Sequence, residues 1–249
     1  MRSGARAGPH GQKTISLGKG PPIMSEPKTY TLEAPGAVLH YDVRDNDGAG
    51  HPVLLLAGAP MRASGFAALA EQFADRTVVT YDPRGTERSQ RTDGEPPGSV
   101  PGEHAEDLRR LIQALDAGPA DVFGSSGGAV NALVSHAGPI PPGFPGQLAP
   151  DPAAFGLPAQ DDGARDDPLL GLHMTACAGH QLDFGALRAA PVRILLGVGT
   201  QSGQMLAGRT GVAVAESLGT APVTFPGGHD GFISDPGAFA TILRTVLDG

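Results

Sequence analysis

The strongest chemical signal in the sequence is a serine set between glycines at the end of an apolar run. Residues 121–130 read DVFGSSGGAV, and a stretch of small and apolar residues follows. Gly-x-Ser-x-Gly between a strand and a helix predicts a nucleophile elbow, a turn that holds its serine in a strained conformation. Gly124 and Gly128 are required because the turn leaves no room for a Cβ beside Ser126. The alternative is an ordinary Gly/Ser turn, since the chain contains 37 glycines.

A histidine that could serve this serine as a general base lies about 100 residues further along the chain. His229 stands in TFPGGHDGF, residues 224–232, after the last predicted strand and before the last predicted helix. A general base must reach the serine from another part of the same sheet edge, and this position allows it. None of the other seven histidines has this glycine-flanked setting after a strand. The alternative is a loop histidine with no catalytic role.

The elements that would position these two residues alternate between short apolar runs and longer helical periods. VLLLAG and VRILLGV are apolar on both faces, as buried parallel strands are. Alternation of strand and helix predicts an α/β fold, a mostly parallel twisted sheet with helices on both faces. The predicted strands are 29–33, 38–43, 53–56, 77–81, 121–123, 192–198 and 222–225. The predicted helices are 63–74, 103–116, 204–218 and 236–247.

Together these segments resemble a serine-dependent α/β-hydrolase of the actinobacterial type. The resemblance rests on VLLLAGAPM, TVVTYDPRGTERS, DVFGSSGGAVNAL, VRILLGV and TFPGGHDGF, and it covers about residues 29–137 and 190–249. It implies that Ser126 is the nucleophile and His229 the base. It also implies an oxyanion hole formed by the backbone N–H groups of Gly127 and Ala59. Asp82 would be structural, tying the turn at 84–85.

The sequence departs from the family pattern at two places around this site. The usual His-Gly-x-Pro after the third strand is replaced by AGAP, residues 57–60, so a side chain that braces the loop is missing. The loop after the penultimate strand, where the family carries its acid, reads GTQSG and contains no carboxylate. Gln201 could orient the imidazole, but it cannot stabilise the imidazolium by charge. Asp183, Asp230 or the acidic cluster 161–167 could supply the missing carboxylate.

A third departure is a missing strand. The family has another parallel strand after the elbow helix, whereas here residues 131–136 run directly into the proline-rich segment GPIPP. Strand 192–198 would then either border a gap or move over to pair with strand 121–123. Either outcome leaves backbone and apolar groups without partners, so we expect reduced stability or self-association of the chain.

Composition and net charge indicate the domain organisation and the classes of partner. Residues 1–28 are polar, rich in Gly and Pro and predicted to form a disordered extension. Residues 29–249 form the hydrolase domain, with a short irregular cap at about 138–190. A net charge of −8 disfavours nucleic acid, and no apolar run is long enough to span a membrane. The absence of a secretory signal and the single cysteine favour a cytoplasmic location.

No cofactor and no metal are predicted. GVG at 197–199 lacks the rest of a dinucleotide-binding fingerprint, which disfavours nucleotide binding. His173, Cys177 and His180 have helical spacing, but a polar helix face in the cap is the simpler interpretation. The favoured function is hydrolysis of an ester, lactone or related acyl bond in a small or medium-sized apolar substrate. The alternative is a degenerate hydrolase with little turnover that acts as a binding protein or is a non-functional remnant.

Overall fold

The computed structural model describes residues 26–46, 51–59, 61–95, 101–136, 177 and 180–249. Its strands are β1 (Lys28–Ala34), β2 (Ala37–Arg44), β3 (Val53–Ala57), β4 (Val78–Tyr81), β5 (Ala120–Gly124), β6 (Gly197–Gly199) and β7 (Val223–Phe225). Its helices are α1 (Ala67–Ala70), α2 (Pro101–Leu115), α3 (Gly127–His136), α4 (Phe184–Ala189), α5 (Leu206–Leu218), α6 (Gly231–Ser234) and α7 (Pro236–Asp248). A 3₁₀ turn at Ala63–Phe66 precedes α1.

Five strands form the main sheet in the order β1-β2-β4-β3-β5. The hairpin β1-β2 is antiparallel and joins β4 antiparallel, whereas β4, β3 and β5 run parallel. All five residues of β3 are buried because helices cover both faces of the sheet there. The predicted α/β architecture is therefore confirmed. Lys28, which the sequence assigned to the extension, already pairs with Val43 in β1, so the described strand begins one residue earlier than predicted.

The two faces of β3 divide the core into two layers. Leu54 and Leu56 point to one side, where they pack with α1, α6 and α7. Val53 and Leu55 point to the other side, where they pack with α2. This period of two follows from the pleat of a strand. The first layer matters for the site, because it joins the helices after β7 to the main sheet.

The sheet is interrupted beyond β5. Strands β6 and β7 pair in parallel with each other as a separate two-stranded sheet. Within the described residues no strand pairs with the far side of β5, so β6 borders a gap and does not pair with β5. Of the predicted strand 192–198, only the last part forms a strand, at Gly197–Gly199. Residues 192–196 have no neighbouring strand in the described structure. Val192 and Leu195 are consequently 42% and 38% exposed, and self-association of the chain remains a prediction.

Most other elements match the sequence pattern within a few residues. The predicted cap at about 138–190 lies largely outside the described residues, which include Cys177 and 180–190 of it. The described end of the cap contains α4, whose first turn is capped by Asp183. No helix in the described ranges combines the length and the hydropathy that crossing a bilayer requires.

An ion pair fastens α7 to the turn between α1 and β4. Both guanidinium nitrogens of Arg244 contact the Asp75 carboxylate, one of them at 2.6 Å. The hydrogen bonds from Arg244 hold the pKa of Asp75 below its ordinary value. A carboxylate whose pKa is lower in the folded state stabilises the fold above its unfolded pKa, and that contribution disappears as the pH falls through the folded value.

Asp75→Asn is therefore expected to lower the Tm at pH 7, with a smaller difference from the parent protein at about pH 3, because that pH lies below the ordinary carboxyl pKa, where the contribution of the lowered Asp75 pKa begins to disappear. The measurement is thermal unfolding at both pH values. Glu71→Gln, at an exposed position just after α1, provides the control. An Asp75→Asn effect of the same size at both pH values would contradict the assignment.

Candidate active site

Ser126 occupies a sharp turn between β5 and α3. Its φ is +57°, in the left-handed region that non-glycine residues seldom adopt. The turn is held by hydrogen bonds from Ser125 N to Ala57 O and from Gly128 N to Ser125 O, both of 2.9 Å. Ser126 itself is exposed. A strained, exposed serine at a strand-to-helix turn is the local geometry that a nucleophile elbow requires.

The glycines around this serine are needed for close backbone packing. A Cβ on Gly124 would lie 2.7 Å from the Cα of Ala129, in the first turn of α3. A Cβ on Gly128 would lie 2.8 Å from the carbonyl carbon of Ala57, at the end of β3. These approaches are shorter than any side chain tolerates, so the start of α3 packs directly on β3 because positions 124 and 128 lack Cβ atoms.

The loop after β3 lies beside the turn that carries Ser126. Ala57 and Gly124 are paired in neighbouring parallel strands, so the two loops leave the sheet side by side. A Cβ on Gly127 would be 2.7 Å from the carbonyl oxygen of Ala59, which shows how closely the two residues approach. Among the described residues no hydrogen bond uses the N–H of Ala59 or of Gly127. Both remain free to donate to a developing oxyanion.

Asp82 braces the loop after β3. This buried carboxylate accepts a hydrogen bond from Ala63 N at 2.8 Å and one from Arg88 Nε at 2.6 Å. The predicted tie to the turn at 84–85 is not formed, because Arg84 pairs with Asp107. Asp82 thus holds the far end of the loop that follows β3, at Ala63.

His229 lies in the loop between β7 and α6 and is exposed. Because β6 and β7 are parallel neighbours, with Gly199 opposite Phe225, the loops that follow them are adjacent. Thr200 N donates to Phe225 O and Gln201 N donates to Gly227 O, each at 2.9 Å. The loop at 199–203, which contains no carboxylate, is therefore attached to the histidine loop through its backbone.

Three residues considered for the acid position lie in the described ranges, whereas the acidic cluster 161–167 lies outside them. Gln201 stands on the adjacent loop, with an exposed side chain. Asp183 is occupied elsewhere, because its carboxylate accepts from Ala186 N at 2.9 Å and caps α4. Asp230 is exposed and makes no side-chain cap at the start of α6. Within the described ranges, no hydrogen bond joins His229 to Ser126 or to any of these three residues.

Cys177 is a neighbour of the site that the sequence pattern did not identify. Its Sγ is 4.0 Å from Gly127 O and would be 3.1 Å from a Cβ on Gly127. Burial raises the pKa of this thiol to about 11, so it is neutral at physiological pH. The contact spans 50 residues of chain, and no local spacing could have indicated it. No group of three or more His, Cys, Asp or Glu side chains suited to a metal occurs in the part of the chain that is described.

Comparison with known proteins bears on the fold of the chain. No family model matches the chain. The uncharacterized hydrolase YraK of Bacillus subtilis (strain 168) is 29% identical, over 88% of this chain and 95% of that protein. A thermophilic esterase from Thermogutta terrifontis superposes with a TM-score of 0.63 at 18% identity, covering 90% of this chain and 98% of its own. This chain has the α/β-hydrolase fold.

A second solved structure extends the comparison. The N-acyl homoserine lactonase AidH, solved as a mutant with N-hexanoyl homoserine, superposes with a TM-score of 0.61 at 16% identity. The match covers 90% of this chain and 97% of the lactonase chain. The relatives by sequence and by fold are thus hydrolases and esterases, although the main sheet described here ends at β5.

Proposed function

We propose that the protein hydrolyses an ester, lactone or related acyl bond through an acyl-enzyme intermediate. The observation that carries the proposal is the strained, exposed Ser126 beside two backbone N–H groups that have no acceptor in the described structure. A turn with a positive φ at serine costs of order 1–3 kcal/mol. Such strain points to a functional requirement for the serine at this position.

In the proposed reaction, Ser126 Oγ attacks the substrate carbonyl carbon while its proton passes to the His229 imidazole. The N–H groups of Ala59 and Gly127 donate to the oxyanion that forms. Collapse of this intermediate breaks the bond to the leaving alkoxide, which takes the proton from His229. Water then attacks the carbonyl carbon of the acyl-enzyme, with His229 again taking and returning the proton, and the carboxylic acid leaves as the bond to Ser126 Oγ breaks.

The substrate class is supported by the surroundings of the serine and by the relatives. Two structures of similar fold are an esterase and a lactonase. Cys177, neutral and half-buried, adds an uncharged surface next to Gly127. We therefore propose a small acyl compound with an uncharged, apolar acyl group.

A series of p-nitrophenyl esters with acyl chains of two to eight carbons tests this function. We expect release of p-nitrophenol in an initial burst followed by a slower steady rate, because acylation and deacylation are separate steps. Hydrolysis of every ester at the rate of buffer would reject the proposed function.

The alternative is a degenerate hydrolase that binds its ligand with little turnover. It is favoured by the loop at 199–203, which holds no carboxylate, and by the lack of a described hydrogen bond between Ser126 and His229. Catalytic hydrogen bonds are often long in structures without a ligand, so this geometry does not exclude activity. A folded protein that binds acyl compounds without hydrolysing them would favour this alternative.

Restoring a carboxylate next to His229 is expected to raise turnover. Gln201→Glu places the charge on the loop that is hydrogen-bonded to the histidine loop, where it would stabilise the imidazolium. In a serine protease, the loss of this charge reduces kcat about 10⁴-fold, so a gain of about 10-fold or more is expected here. The measurement is kcat on p-nitrophenyl acetate, with the alkaline shift of the pH-rate profile that an added negative charge produces. Thr200→Glu adds the same charge one residue away, and an equal gain from it would contradict the orientation argument.

A further inference from the structure

The break between the two sheets of the described structure separates the two residues of the proposed mechanism. Ser126 follows β5 in the main sheet, whereas His229 follows β7 in the two-stranded sheet. In a continuous sheet, ladders of backbone hydrogen bonds would fix the ends of such strands relative to each other. Within the described structure no strand links β5 to β6, so we consider which side-chain contacts join the two sheets there.

Phenylalanine side chains span this break. Phe123 lies three residues before Ser126 on β5, and Phe232 lies three residues after His229 on α6. Their ring centroids are 5.8 Å apart at an interplanar angle of 71°, an edge-to-face contact. This contact joins the strand that presents the serine directly to the helix that follows the histidine.

Two further rings enclose the contact. Phe66 stacks on Phe232 at 5.2 Å and meets Phe123 edge-on at 6.4 Å. Phe239 meets Phe123 at 5.5 Å and Phe232 at 5.9 Å. Phe232 is only 2% exposed, so α6 cannot shift relative to β5 without opening this cluster. Packed interiors resist such shifts because each ring already fills its space.

We propose that the Phe123–Phe232 contact is the positioning element that sets the distance between the His229 imidazole and the Ser126 hydroxyl. This inference rests on the proposed function. Phe123 and Phe232 are positioning residues, since they act through Ser126 and His229. The arrangement replaces the backbone hydrogen bonds of a continuous sheet with side-chain packing, so alignment of the site depends on the volume of two rings.

Phe232→Leu is expected to reduce kcat for p-nitrophenyl acetate by about 10- to 100-fold with little change in KM, because a misplacement of about 1 Å can cost 10²-fold. Phe123→Leu removes the other ring of the same contact. Because Phe123 is only half-buried, this variant is expected to disturb folding less than Phe232→Leu. Phe73→Leu is the matched control. Phe73 is fully buried in the same layer, but its ring packs under Arg244, 4.6 Å from the guanidinium carbon. We expect it to lower the Tm without lowering kcat.

The decisive comparison places Phe232→Leu in a His229→Ala background. If the ring acts by positioning the imidazole, its replacement causes no further loss of kcat once the imidazole is gone. A further loss of the same size as in the parent protein, or an equal loss from Phe73→Leu, would overturn the positioning role while leaving the proposed function intact. Full activity of His229→Ala alone would overturn the general-base role and this inference with it.

Discussion

Ser126→Ala is expected to reduce ester hydrolysis by about 10⁴-fold or more while the protein remains folded. Removal of the attacking oxygen leaves only binding and oxyanion stabilisation, which sustain a small residual rate. The side chain is exposed and its hydroxyl makes no described hydrogen bond, so stability should hardly change. Steady-state hydrolysis of p-nitrophenyl acetate and the Tm measure the two effects.

Ser125→Ala is the natural control for this substitution. It removes a side-chain hydroxyl from the residue just before the proposed nucleophile. The backbone hydrogen bond from Ser125 N to Ala57 O is retained. We expect kcat to stay within a few-fold of the parent protein. An Ser125→Ala variant as inactive as Ser126→Ala would show that the turn as a whole, rather than one nucleophile, is required.

The largest expected effect on stability is at the buried pair between Arg84 and Asp107. The guanidinium donates two parallel hydrogen bonds to the carboxylate, at 2.7 Å and 2.6 Å. The Arg84 side chain is 3% exposed and that of Asp107 is fully buried. Asp107→Ala would leave the guanidinium charge buried without its main partner. Such a loss costs about 3–5 kcal/mol of unfolding free energy, to be measured by urea denaturation.

Glu106→Gln is the control one residue away on α2. Glu106 pairs with Arg109 and Arg110, but its side chain is 43% exposed. Exposed pairs contribute about 0–1 kcal/mol, so the urea midpoint should move little. The double variant Arg84→Met with Asp107→Leu removes both charges and is expected to be less destabilised than Asp107→Ala. Equal losses from Glu106→Gln and Asp107→Ala would contradict this account.

The turn at Ser126 was predictable because its signal is local. Five consecutive residues determine it, and the space that each glycine leaves depends on neighbours close in sequence or on the adjacent strand. The positions of the core strands along the chain were also predictable, because buried parallel strands are apolar on both faces. The segment at 192–196 shows the limit of that reasoning. Its apolar pattern is that of a buried strand, yet a strand forms only where another one pairs with it.

Contacts between residues that are far apart in the sequence could not be predicted from it. The Phe123–Phe232 pair joins residues 109 positions apart, and Cys177 meets Gly127 across 50 positions. Neither contact has a repeat or a spacing that marks it. Asp82 illustrates the same point, because its predicted role was structural but its partner proved to be Ala63 rather than the turn at 84–85. Which groups meet depends on how the helices pack over the sheet.

The most direct test of the central claim is labelling with a fluorophosphonate probe, followed by mass spectrometry of the adduct. The probe requires an activated serine and an oxyanion hole but assumes no particular substrate. We expect a single adduct on Ser126. Its formation should be slower in His229→Ala, and it should be absent in Ser126→Ala. A folded protein that stays unlabelled, or one labelled equally in Ser126→Ala, would contradict it.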